Sequence, residues 1–122
     1  MRILLIDDNP QIRMVVLRVL AALGHEAEEA ESGPEGLARL ESEAFDLALI
    51  DIEMPDMDGF AVARAAKSKT KAQLYALSAH PFDRNREELD AAGFSGSVEK
   101  PVSAAALVAL LQSHETSSKN EL

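Results

Sequence analysis

Aspartates follow two of the short apolar runs in this chain: Asp7 and Asp8 come after Leu4-Leu5-Ile6, and Asp51 comes after Leu47-Ala48-Leu49-Ile50. Ser78 ends a third run, and Lys100 lies just past a very short strand candidate at residues 96–98. Carboxylates gathered in one place repel each other and do not all stay ionised without a counter-charge. A small hard cation resolves that conflict. Mg²⁺ takes oxygen ligands at roughly 2.1 Å, keeps several waters, and needs only one or two carboxylates. The residue types therefore suggest Mg²⁺ between Asp8 and Asp51, with Asp7 contributing through water and Glu53 offering its backbone carbonyl from the following loop. Beside a divalent ion, Asp51 can attack an electrophilic phosphorus and carry the phosphoryl group as an acyl phosphate. The Lys100 ammonium would neutralise charge on the transferring oxygens, and the Ser78 hydroxyl would donate to them.

Such chemistry requires the four positions to meet in space, and the hydrophobic pattern supplies elements able to do this. Residues 3–6 form a continuous apolar run, as in a strand buried on both faces. Ile12, Val16, Val19, Leu20 and Leu23 then mark one face of an amphipathic helix that Gly24 stops. Residues 25–29 are a polar strand candidate, plausible only at a sheet edge. Ser32-Gly33-Pro34 opens a second helix with Leu37 and Leu40 facing inward. Residues 45–50 form the second buried strand, and 60–66 a short Ala-rich helix. Residues 73–77 form the next strand. A thin charged helix carries Phe82 and Leu89, residues 96–98 make a last short strand, and 102–111 the closing helix. Five strand–helix pairs in succession predict an α/β fold: one doubly wound five-stranded parallel sheet with helices on both faces. Ligands of such sheets bind beyond the carboxyl ends of the strands, where Asp7, Asp8, Asp51, Ser78 and Lys100 all fall.

Composition narrows the function classes. The chain has 122 residues, enough for one domain and too few for a second sizeable core. Its net charge of −9 argues against nucleic acid or an anionic membrane surface as a direct partner. There is no cysteine, so no disulfide framework or thiolate metal site. No apolar run approaches the ~20 residues of a membrane span, and the start shows no signal-peptide pattern. The expectation is a cytoplasmic protein with a domain over residues 1–114 and a polar, disordered tail over 115–122.

Taken together, Asp7-Asp8, the run Asp51-Ile52-Glu53-Met54-Pro55-Asp56-Met57-Asp58-Gly59, Leu77-Ser78-Ala79 and Lys100-Pro101 resemble the response-regulator receiver domain of two-component signalling. The resemblance covers residues 2–112. It implies a flavodoxin-like strand order 2-1-3-4-5, a cis Lys100–Pro101 bond, Mg²⁺ dependence, and phosphoryl transfer from a phosphohistidine to Asp51. The implied donor is a histidine kinase or a histidine phosphotransfer protein. Such a domain catalyses only its own phosphorylation and dephosphorylation. It switches protein contacts through the surface of the fourth helix, fifth strand and fifth helix, which also serves weak homodimers. Here that surface carries Ser95, Ser97, Ala104 and Ala105, a small and weakly apolar patch. Ser97 stands where receivers usually carry the aromatic that turns inward on activation. His80 and Glu53 flank the site where the family varies its dephosphorylation rate. The Asp-Asp-Asn-Pro and Leu-Ser-Ala-His runs look more like receivers of hybrid kinases than those of DNA-binding regulators, and a stand-alone receiver is the other option.

Three rival functions use the same residues differently. A Mg²⁺-dependent phosphohydrolase with an aspartyl nucleophile could use Glu53 as its second acid, but the chain has no length for the usual cap domain. An FMN carrier would need Ser, Thr and Gly after the first strand, where two carboxylates would repel the phosphate. A receiver-like module that works without phosphorylation would not need the full site. Plainer readings also exist for single residues. Asp7 and Asp8 could cap the first helix, Phe94 and Tyr75 could be ordinary core, and Met54 and Met57 loop packing. His25 and His114 are expected to be exposed, and Lys67, Lys69 and Lys71 to be a solvated helix end and loop.

Overall fold

A computed structural model describes residues 1–55, 57–79 and 86–120; of residues 86 and 114–120 it describes the backbone alone. The elements run β1 (Arg2–Ile6), α1 (Pro10–Ala22), β2 (Glu26–Ala30), α2 (Gly33–Ser42), β3 (Leu47–Asp51), α3 (Gly59–Ala66), β4 (Gln73–Ser78), α4 (Arg86–Ala92), β5 (Phe94–Glu99) and α5 (Ala104–Asn120). All strand pairs are parallel, in the order β2-β1-β3-β4-β5. β1 and β3 are adjacent and apolar on both faces, and every β3 residue is buried. The polar strand β2 lies at the edge, where its glutamates reach solvent.

Alternating side chains divide the interior into two cores. Leu4, Ile6, Ala48, Ile50 and Ala76 pack with Leu40 of α2, Phe60 and Val62 of α3, and Leu89 of α4. Ile3, Leu5, Leu49 and Leu77 pack on the other face with Val16 and Leu20 of α1 and Leu107 and Leu111 of α5. Each fully buried Leu or Ile contributes about 1.5–3 kcal/mol relative to exposure, so these central strands anchor the sheet whose rim carries the acids.

Local chemistry explains the turns that lead to the site. The Asn9 side chain caps α1, accepting from Gln11 N at 2.9 Å and Ile12 N at 3.2 Å, with Pro10 next in the first turn. Asp7 and Asp8 are thus not spent as caps. Gly24, at φ +90°, turns the chain out of α1 in a conformation that a side chain would strain. Lys100–Pro101 is cis.

Several expectations need correction. The last strand is longer than the predicted 96–98, because a bulge hides its start from the apolar pattern. Leu74 pairs with Phe94 and Tyr75 with Gly96, leaving Ser95 as the extra residue. Phe94 therefore enters the α2–α4 core, edge-on to Phe60 with ring centroids 5.8 Å apart, while Val98 enters the α1–α5 core. α5 continues as helix through Asn120, past the 102–111 limit of its apolar pattern, and neither Gly nor Pro follows Leu111 to stop it. His25 is half-buried rather than exposed, its Nδ1 3.1 Å from the Met1 amino group. His80 and Phe82 lie outside the described residues, as does the His114 side chain. Among the described residues, no helix is long and apolar enough to cross a membrane.

Candidate functional site

β1 and β3 run side by side with Ile6 opposite Ile50, so the residues that follow them, Asp7 and Asp51, emerge together at the carboxyl edge. Carboxylate oxygens of Asp7, Asp8 and Asp51 all lie within 4.8 Å of one another. Asp7 is fully buried and Asp51 nearly so, at 2% exposure, while Asp8 faces solvent. Each buried aspartate ties Oδ1 into its own loop. Asp7 Oδ1 accepts from Asn9 N and Asp51 Oδ1 from Glu53 N, both at 2.9 Å. The other oxygens face one ammonium: Lys100 Nζ stands 3.1 Å from Asp51 Oδ2 and 3.2 Å from Asp7 Oδ2.

Lys100 and Asp7 form a close ion pair but not a hydrogen bond of good geometry, so Asp7 Oδ2 is buried with no hydrogen-bond partner among the described residues. Burial pushes the Asp7 carboxyl above its usual range, and the neighbouring Asp51 charge adds to this against the relief from Asn9 N–H and Lys100. For Lys100, burial pulls the pKa down, but the adjacent charges of Asp51 and Asp7 prevail and raise it. One ammonium against three carboxylates leaves a double negative charge, which one divalent cation cancels. The oxygen-only donor set, the spacing and the orphaned Asp7 Oδ2 all fit a hard ion such as Mg²⁺.

Ser78 ends β4, the strand beside that of Asp51, and is buried at 2% exposure. Its carbonyl accepts the Lys100 N–H at 2.8 Å, which brings the lysine to the same rim. An open cleft of about 520 Å³, bordered by Asp8, Asp51, Glu53 and Lys100, gives access from solvent. Beyond it lies a groove of about 430 Å³ with apolar walls, among them Ile12, Val15 and Val102. Gly59 makes the loop between β3 and α3 close: a Cβ there would sit 2.6 Å from Asp51 O and 2.7 Å from Ile52 Cα.

Some contributors have little or no signature in the sequence. Asn9 could have been found from the Asn-Pro pair, a common helix start. Arg13 could not, since its partner is a main-chain oxygen: its Nη1 donates to Asp7 O at 2.8 Å. A second polar cluster, away from the acids, joins Arg2 and Arg39 to Glu28 and Glu43, with both guanidiniums over the Phe45 ring.

An open, doubly wound parallel sheet with its polar residues at the carboxyl edge defines a flavodoxin-like α/β domain. The family profile described as "Response regulator receiver domain" matches residues 3–112, and the chain belongs to that family. The sensor protein GacS of Pseudomonas syringae is 32% identical over 108 residues, covering 84% of this chain and 12% of that protein. The chemotaxis protein CheY4 of Vibrio cholerae superposes with a TM-score of 0.82 at 32% identity, covering 91% of this chain and 95% of that one. The receiver domain of a sensor histidine kinase from Pseudomonas aeruginosa, solved with magnesium coordinated in its active-site cleft, gives a TM-score of 0.81 at 28% identity, covering 91% and 93%. The chain spans about a tenth of the length of the first curated relatives it matches. It is a receiver, a phosphoacceptor switch of two-component signalling rather than a turnover enzyme.

Proposed function

We propose that Asp51 is the phosphoacceptor and that the donor is a phosphohistidine on a histidine kinase or phosphotransfer protein. An Asp51 carboxylate oxygen attacks phosphorus, the P–N bond to the donor imidazole breaks, and that nitrogen recovers its electron pair and takes up a proton. The Asp51 Oδ1 bond from Glu53 N–H holds the carboxylate in one rotamer. Lys100 Nζ, already 3.1 Å from Asp51 Oδ2, meets the incoming phosphoryl oxygens. Ser78 supplies a hydroxyl from the neighbouring strand end. Mg²⁺, held by Asp8, Asp51 and the Glu53 carbonyl with Asp7 through water, would supply positive charge to the transferring group. The observation carrying this reading is the trio of acids within 4.8 Å, two of which, Asp7 and Asp51, share one lysine, while Asp7 Oδ2 has no hydrogen-bond partner among the described residues.

Phosphorylation would shift the domain between two states, because the phosphoryl group adds roughly −1.5 to −2 of charge and new acceptor oxygens that draw in the Ser78 hydroxyl. Output is assigned to the α4–β5–α5 face, where Ser95, Ser97, Ala104 and Ala105 are exposed. With Ser97 in place of an aromatic, the aromatic rotamer is not the switching element. Residues 1–114 form the receiver unit in this reading, 115–122 a polar extension outside it, and the location is cytoplasmic.

The test is intact mass after incubation with MgCl₂ and phosphoramidate. Wild type gains one phosphoryl group and Asp51→Asn gains none. A product persisting in Asp51→Asn would place the acceptor elsewhere, and continued release of phosphate from small phosphomonoesters would favour a hydrolase.

A further inference from the structure

Arg13 takes no part in the proposed chemistry, yet its side chain is only 11% exposed. Nη1 donates to the Asp7 carbonyl oxygen at 2.8 Å. Nε faces Glu29 Oε1 at 3.5 Å and is buried without a hydrogen-bond partner among the described residues. Burying a guanidinium on these terms carries a desolvation cost that an aliphatic side chain at this site would avoid.

We infer that Arg13 is a positioning residue for the acidic site: by holding the Asp7 carbonyl, it sets the plane of the Asp7–Asp8 peptide and with it the place of the Asp8 carboxylate. The inference rests on the magnesium-site reading above. The Asp7 N–H is tied to Ala30 O at 3.2 Å and the Asp7 side chain to Asn9 N, which leaves the following peptide group as the free element. A peptide unit is planar, so fixing its C=O also fixes its N–H and the departure of the next Cα. Asp8 needs that help, since its exposed carboxylate has no holding partner among the described residues. Glu29, half-exposed on edge strand β2, keeps the guanidinium turned toward Asp7.

Metal-free protein titrated with MgCl₂ by calorimetry tests this. Arg13→Met keeps the apolar stem and removes the donors; its Mg²⁺ affinity should fall about tenfold, the scale of one hydrogen bond from a charged donor. Arg13→Lys should recover most of that loss, and Glu29→Gln should shift affinity the same way by less. With phosphoramidate as donor, the Mg²⁺ concentration giving half-maximal phosphorylation should rise in Arg13→Met while the rate at saturating Mg²⁺ holds. A lower metal-free melting temperature with wild-type Mg²⁺ affinity in every variant would mean a structural role only and overturn the proposal. If Arg13→Met fails to fold, Glu29→Gln carries the test, and wild-type affinity there is the overturning result. The titration needs no phosphodonor, so its outcome is separate from the identity of the acceptor, which the Asp51→Asn mass decides.

Discussion

Asp7 shows how a single residue is held at a cost to stability that a bound ion would recover. Its raised pKa means that the folded state disfavours the ionised form, so any stability from this group is present at low pH and lost as pH rises through the folded value. At neutral pH, without Mg²⁺, Asp7→Asn should therefore raise the melting temperature. The same variant should lose most of the further rise that Mg²⁺ gives wild type. A variant that melts at or below wild type in chelator would show that Lys100 already compensates the buried charge. The acids were legible in the sequence because they fall where apolar runs of strand length stop, and the lysine because it precedes Pro101 just after a short strand candidate. Arg13 was not: an arginine on a helix surface is ordinary, and the carbonyl it holds has no letter of its own.

At the scale of elements, the site depends on how closely α3 approaches β3. A Cβ on Gly59 would meet backbone atoms of Asp51 and Ile52, which cannot swing aside as a side-chain tip can. Gly59→Ala should cost about 1–3 kcal/mol in urea denaturation and also weaken Mg²⁺ binding, since relief must come from moving the Asp51 segment. Lost stability with unchanged Mg²⁺ affinity would place the relief in α3 instead. A different lock joins α2 to β1 and β2. Arg39 and Arg2 hold Glu43 down to about 2, and the same two arginines lower Glu28. Depressed carboxylates stabilise the fold above their unfolded value near 4.5, and that gain is lost as pH falls toward 2. The melting-temperature gap between wild type and Glu43→Gln should thus be full at pH 5 and closed near pH 2. High salt should narrow it, because both partners are partly exposed. A gap that persists at pH 2 would assign Glu43 a packing role. The element order was readable from period and length. The β5 bulge was not, because Phe94 and Val98, four apart, fit one face of a regular strand and only the added Ser95 sends them to opposite cores.

For the whole molecule, a net charge of −9 means that any salt should stabilise by screening self-repulsion, and a specific ion site must be separated from that background. NaCl should raise the melting temperature gradually and without saturation across the range where the Debye length shrinks from about 30 to 10 Å. MgCl₂ at matched ionic strength should add a saturable increment. The cation would bind the folded state, where Asp7, Asp8 and Asp51 converge, and the unfolded chain would hold no such cluster. Binding linkage puts that increment near 1.4 kcal/mol when free Mg²⁺ exceeds its dissociation constant about tenfold. Asp8→Asn should keep the NaCl response and lose the Mg²⁺ increment, because Asp8 lies in the open cleft and its removal leaves both cores intact. Equal responses to the two salts in wild type would reduce the acids to part of a diffuse negative surface. The saturable increment, confined to chains with all three carboxylates, would instead tie the stability of the sheet to the state of its carboxyl edge, the coupling a receiver needs if chemistry at Asp51 is to be felt at α4, β5 and α5.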